Sequence, residues 1–243
     1  MRSRCLLAAL GALPLSALAD SPLVVAQWQR FAITTAAQET RGAVDESIDL
    51  AVDLSPDASP GYSIDDVGGR RIARYRMGFN NIAEGWSWQP EIAIAGGDYY
   101  RYKFLPLGST LEEHGERAGW GPLGGEFKAP VRWRFDYFAA FDNAHEFYPR
   151  DDDADSGFSV TLPEDARLPL RMEIRLRLVR PPTSESTTYW RAISGRPVEM
   201  TLKNRYFLGR LDSVSFLDAS GRLLARHEPS PPLPAQNSAR SRQ

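Results

Sequence analysis

Val131-Arg132-Trp133-Arg134-Phe135-Asp136-Tyr137 and Met172-Glu173-Ile174-Arg175-Leu176-Arg177-Leu178 decide the fold class of this chain. In each, large apolar residues alternate with polar or charged ones. Successive side chains of a strand point to opposite faces, so both stretches bury one face and hydrate the other. A helix would scatter the same residues around its circumference. Two more runs repeat the pattern. Ile48, Leu50, Val52 and Leu54 alternate with Asp49, Ala51 and Asp53, and Ala73, Tyr75, Met77 and Phe79 with Arg74 and Arg76. Weaker strand signals lie at 28–34, 91–95, 98–105, 157–162, 197–206, 210–217 and 222–227. No stretch sustains a helical period over about twelve residues.

Turn signals separate these runs. Asp218-Ala219-Ser220-Gly221 joins two apolar stretches and reads as a hairpin turn. Ser55 to Gly61 is a Pro/Asp/Ser loop. Gly108 to Gly125 is rich in glycine, and Thr110-Leu111-Glu112-Glu113 inside it matches a capping box, which predicts a short helix over about 110–117. Many short strands between Gly/Pro turns predict an all-β fold: an antiparallel β-sandwich, jelly-roll-like, with one short helix in the long glycine-rich loop.

The N-terminus reads as an export signal. Arg2 and Arg4 precede a short apolar stretch, Leu6 to Leu18, and Ala17-Leu18-Ala19 is a small-x-small cleavage site. The stretch is shorter than the roughly 20 apolar residues of a membrane span. The sequence thus divides into a signal peptide (1–19), a single β-sandwich domain (20–228) and a Pro-rich tail (229–243) expected to be disordered. Cleavage removes Cys5, the one cysteine, so the mature domain has no thiol or disulfide chemistry. A chain this long can bury a sufficient core without crosslinks. The expected compartment is periplasmic or extracellular, in the bacterial envelope, with no transmembrane helix in the mature chain. Formal net charge is −2, and the basic residues are 26 arginines and 3 lysines scattered among acids. That balance lacks the electrostatic footprint of a nucleic-acid binder.

Aromatic residues concentrate between 86 and 148. Alternation assigns Trp133, Phe135 and Tyr137 to the core. Trp86 and Trp88 beside Gly85, Trp120 among glycines, and Tyr99 and Tyr100 on opposite faces of one strand are the candidates for a ligand surface. Rings with a polar tip suit stacking on sugars or partner side chains.

The acidic chemistry is weaker. Asp151-x-Asp153-x-Asp155 has the alternate oxygens that open a calcium loop, but Ser156 and Leu162 stand where an EF-hand needs Gly and Glu. Calcium is the one cofactor suggested, with a solvated acidic turn as the alternative. Catalytic candidates are Glu112, Glu113, His114, Glu126, His145 and Glu146, as a carboxylate pair with an adjacent histidine; no nucleophile elbow or phosphate loop accompanies them. Arg74/Arg76, Arg132/Arg134 and Arg175/Arg177 each share the polar side of a strand. They would form an arginine ladder for an acidic polysaccharide or lipid headgroup if their strands were neighbours.

Three function classes fit. The first is a non-catalytic binding module for a glycan or an envelope protein. The second is an envelope glycan hydrolase or lyase using a carboxylate pair. The third is an outer-membrane β-barrel, against which stand 18 prolines and a polar C-terminus. With no assembled catalytic motif, the first is the reading adopted.

Overall fold

The structure, a computed structural model, describes residues 22–38, 46–56, 59, 61–76, 103–120, 125–147, 157–193 and 198–230. Residues 1–19, read as a signal peptide, and residues 231–243 of the Pro-rich tail lie outside them. The elements in chain order are helix α1 (Pro22–Gln38), β1 (Ser47–Leu54), β2 (Tyr62–Val67), β3 (Arg70–Arg76), β4 (Lys103–Trp120) and β5 (Glu126–Phe141). There follow a single helical turn α2 (Ala144–Phe147), β6 (Gly157–Thr161), β7 (Leu170–Trp190), β8 (Glu199–Leu217) and β9 (Leu223–His227). The fold is all-β and sandwich-like, as the alternating runs predict.

The large sheet runs β1-β7-β8-β5-β4, and β9 adds to β8; the small sheet is β2-β3-β6. Every pairing is antiparallel except β5 with β8, which run parallel from Val131↔Glu199 to Phe141↔Gly209. β8 is the spine of the large sheet. It pairs along its length with β7 on one side and with β5 and then β9 on the other. The weak signals at 197–206 and 210–217 are therefore one strand.

β7 bends where residues 179–182, with Pro181 and Pro182, face a single residue of β8. Proline cannot donate to the ladder and belongs at such bulges. Gly209 sits at this bend. A Cβ there would lie 2.5 Å from the Arg177 carbonyl oxygen, so only glycine lets the two strands approach.

The two sheets close on one core. Leu50, Val52, Leu54, Phe141, Leu170, Met172 and Ile174 of the large sheet meet Tyr75, Phe158 and Val160 of the small one. The fully buried Tyr75 hydroxyl donates to the Pro106 carbonyl, and burial raises its pKa beyond the usual tyrosine range. His227 of β9 fastens the sheets at another point. Its Nε2 lies 3.1 Å from the Ser159 carbonyl oxygen on β6, and its ring packs against Phe158 and Phe216. The hairpin read at 218–221 is present. Asp218 Oδ1 accepts from the Ser220 hydroxyl and from the backbone amides of Ser220 and Arg222, Gly221 takes φ +82°, and the hydroxyl first, then the amides, lower the pKa of the Asp218 carboxyl to about 2.

Two sequence expectations are overturned. Residues 28–34 are not a strand but part of α1, whose Val24, Trp28 and Phe31 are buried at the i, i+4, i+7 spacing of one helix face. Pro22 opens the helix, where a missing N–H costs nothing. Residues 110–117 are not a helix but the middle of β4, paired with 129–135 of β5. The capping box is a local preference worth about 1 kcal/mol. It loses here to a long ladder, and Gly108, Gly115 and Gly119 weaken any helix further.

Candidate functional site

The long strands β4, β5, β7 and β8 carry successive cross-strand rows along one face. The row Leu105-Ala139-Phe207-Thr183 is buried core. Next come Gly108-Tyr137-Arg205-Glu185, then Thr110-Phe135-Lys203-Thr187, then Glu112-Trp133-Thr201-Tyr189. The strands outrun the part of the core covered by α1 and the small sheet, so one face passes from apolar to polar along its length.

Arg205 marks the boundary. Its side chain is 15% exposed, and its guanidinium lies 4.2 Å from the Trp28 ring centroid and 4.1 Å from that of Phe135. Nε donates to Glu185 Oε2 at 2.8 Å and an Nη to the Tyr137 hydroxyl at 2.8 Å. Glu185 Oε1 also accepts from Lys203 at 3.2 Å. Ring faces stabilise a desolvated guanidinium, and the carboxylate balances its charge.

Beyond that boundary Trp133 is half-buried. The His114 ring stacks on it at 4.5 Å between centroids, and the Lys203 ammonium sits 5.3 Å from its centroid. His114 Nε2 lies 3.1 Å from Glu112 Oε2, and Tyr189 is 51% exposed. The Trp133 ring, the Lys203 ammonium, the residues Thr110, Thr187 and Thr201, and a carboxylate–imidazole pair therefore share one face.

The catalytic candidates do not converge. Adjacent residues Glu112 and Glu113 lie on opposite faces of β4, Glu113 paired with Arg132 at 2.7 Å. Glu126 faces Trp120 across the hairpin end, seven residues from Trp133, or about 23 Å along β5. Glu146 follows the other end of β5, more than about 26 Å from Trp133 by the same rise. It is held by Asn143 at 3.0 Å and by Arg210. A hydrolytic carboxylate pair needs about 5–10 Å. The Trp120 and His145 side chains lie outside what the structure describes. So do Trp86, Trp88, Tyr99 and Tyr100 and the calcium candidates Asp151, Asp153 and Asp155. Among the described residues no group of His, Cys, Asp or Glu could hold a metal ion, and no helix is long and apolar enough to cross a membrane.

The arginine ladder does not form. β3 belongs to the small sheet, and β8 separates β5 from β7. Arg134 is paired with Asp136 at 2.8 Å, Arg175 with Asp49 at 2.8 Å and Arg177 with Asp212 at 3.2 Å. Burial holds the Asp136 carboxyl above the usual range, against the pull of Arg134.

Sequence reasoning missed the residues that do converge: Trp133, Lys203, Arg205, Glu185 and Tyr189. The signal available was the alternation Thr201-x-Lys203-x-Arg205 and Glu185-x-Thr187-x-Tyr189 on the face opposite Leu202 and Tyr206. No family model, curated protein or solved structure matches this chain.

Proposed function

We propose that this chain is an exported, non-catalytic binding protein and that its ligand is a glycan held on the Trp133 face. The observation that carries the reading is the half-buried Trp133 ring, with the His114 ring and the Lys203 ammonium against it, in one row with Thr201 and Tyr189. A sugar ring presents an apolar C–H face and a rim of hydroxyls. The first suits stacking on an aromatic side chain, and the second suits hydrogen bonds to Thr, Lys and Glu groups. The signal-like residues 1–19 support export to a compartment where such polymers are met. The separation of the candidate carboxylates supports binding over hydrolysis.

Affinity electrophoresis of the mature chain through gels containing dextran or polygalacturonate tests the reading. Retardation by at least one polymer, lost in Trp133→Ala with the fold retained, is the expected result. No retardation by either, or retardation unchanged in the variant, would overturn it.

A further inference from the structure

The same face continues past Trp133 into a cavity of about 250 Å³ at the end of the large sheet. Its lining includes Arg117 and Gly119 of β4, Ala129 of β5, Tyr189 of β7, Arg191 just beyond it, and Glu199 opening β8. The volume is about eight waters' worth of space, room for one small ring rather than a length of polymer. Small residues, Ala118, Gly119, Ala129 and Ala192, form part of its wall.

The charges in this cavity are unequal. Glu199 is buried, with its carboxylate 2.8 Å from the Arg117 guanidinium, so these two neutralise each other. Arg191 is exposed and makes no ion pair with the other described residues. One cation is thus left over at the mouth, beside the exposed Tyr189 ring. A guanidinium presents a planar fork that matches a carboxylate with two parallel hydrogen bonds. A single surplus positive charge is matched by one carboxylate, whereas a multiply charged anion would bring more negative charge than Arg191 offsets.

We propose that this cavity is a binding site for a small ring bearing one carboxylate, with Arg191 on the carboxylate and Tyr189 on the ring face. The ligand has two possible sources, a uronate sugar of an acidic glycan or a free organic acid. The uronate assignment rests on the glycan reading of the Trp133 face, because Thr201 joins Tyr189 to Trp133 in one row; the carboxylate site itself does not.

The test is an NMR titration of the mature protein with sodium glucuronate, glucose and sodium benzoate, following the amides of 117–119, 189–192 and 199. Saturable shifts there with glucuronate but not glucose are expected. Arg191→Gln should weaken them roughly tenfold or more, at an unchanged melting temperature because the side chain is exposed. Tyr189→Ala, also exposed, should weaken ring binding without abolishing the carboxylate response. Benzoate binding without glucuronate binding would keep the carboxylate site and assign it to free acids. No shift with either acid, or Arg191→Gln binding as tightly as the native protein, would overturn the proposal. Loss of dextran retardation in Trp133→Ala is read separately, so failure here leaves the Trp133 face standing and failure there leaves the carboxylate site standing.

Discussion

Replacing Trp28 by alanine should cost about 3–4 kcal/mol of folding stability, and the figure can be worked from its surroundings. Trp28 is 9% exposed. A buried aromatic side chain removes about 150–250 Å² from water, worth about 4–6 kcal/mol at roughly 25 cal/mol per Å². That is an upper estimate, because the unfolded chain already hides part of this surface. The ring also meets Tyr137 edge-on at 6.4 Å and covers the Arg205 guanidinium, contacts that alanine forfeits. Against these gains, the indole N–H is buried with no acceptor among the described residues, a penalty of about 1–3 kcal/mol that the substitution relieves. The balance agrees with the usual cost of Trp→Ala in a core. Trp28→Phe separates the terms. It keeps a ring under Arg205 and removes the unsatisfied donor, so it should stay within about 1.5 kcal/mol of native. Urea unfolding of the chain beginning at Asp20, followed by circular dichroism, gives both numbers, provided the slope is unchanged. Trp28→Ala within about 0.5 kcal/mol of native would mean that α1 is not part of the folded core, and the account of Arg205 would fall with it.

Two further outcomes follow from single contacts. Burial lowers the pKa of His227 below its ordinary 6.5, so the folded protein holds it neutral while the unfolded chain protonates. Its contribution is whole above about pH 6.5 and is lost as pH falls through the lowered folded value; His227→Gln should flatten the decline in melting temperature between about pH 7 and 5, and an unchanged decline would remove His227 as its source. Gly209→Ala should cost about 1–3 kcal/mol, since its Cβ meets the backbone oxygen of Arg177 at 2.5 Å. Gly119→Ala meets only the movable Phe127 ring and should cost less in the same denaturant titration; the reverse order would refute the close-approach reasoning.

The strand faces were legible because a period of two is a strictly local signal. Leu50, Val52 and Leu54, or Met172, Ile174 and Leu176, announce their burial within a few residues. Helix α1 was harder. Its buried stripe among the described side chains is Val24, Trp28 and Phe31, set among further apolar residues that blur the period. The 110–117 segment misled for the opposite reason: Thr110 and Glu113 meet a helix-start pattern in full, and only partners 20 or so residues downstream make it a strand. The parallel docking of β8 on β5 left no local trace, since neither strand's pattern encodes which neighbour it takes. At the site, alternation put Trp133 on the same face as Phe135 and Tyr137, and that was right. Where the core stops along that face depends on what covers it. Glu146 looked catalytic because Arg210, which pairs with it, comes from β8, 64 residues away.

The transition along this face explains why Arg205 stands where it does. Phe207, one step deeper on the same face of β8, is fully buried. Lys203, one step outward, keeps its side chain 24% exposed. Between them a side chain must pack against rings on one side and meet water and acids on the other. An aliphatic residue would satisfy only the first demand, and a lysine ammonium, more strongly hydrated, would resist the second-row burial among Trp28, Phe135 and Tyr137. The planar guanidinium packs against the Trp28 and Phe135 rings while its N–H groups reach Glu185 and the Tyr137 hydroxyl. Glu185 in turn binds Lys203, which leans over Trp133. The residues that close the core are therefore the same ones that set the position of the outer platform. A change at Arg205 should disturb folding and the Trp133 face together, whereas changes at Trp133 or Arg191, further out, can alter recognition while leaving the core intact.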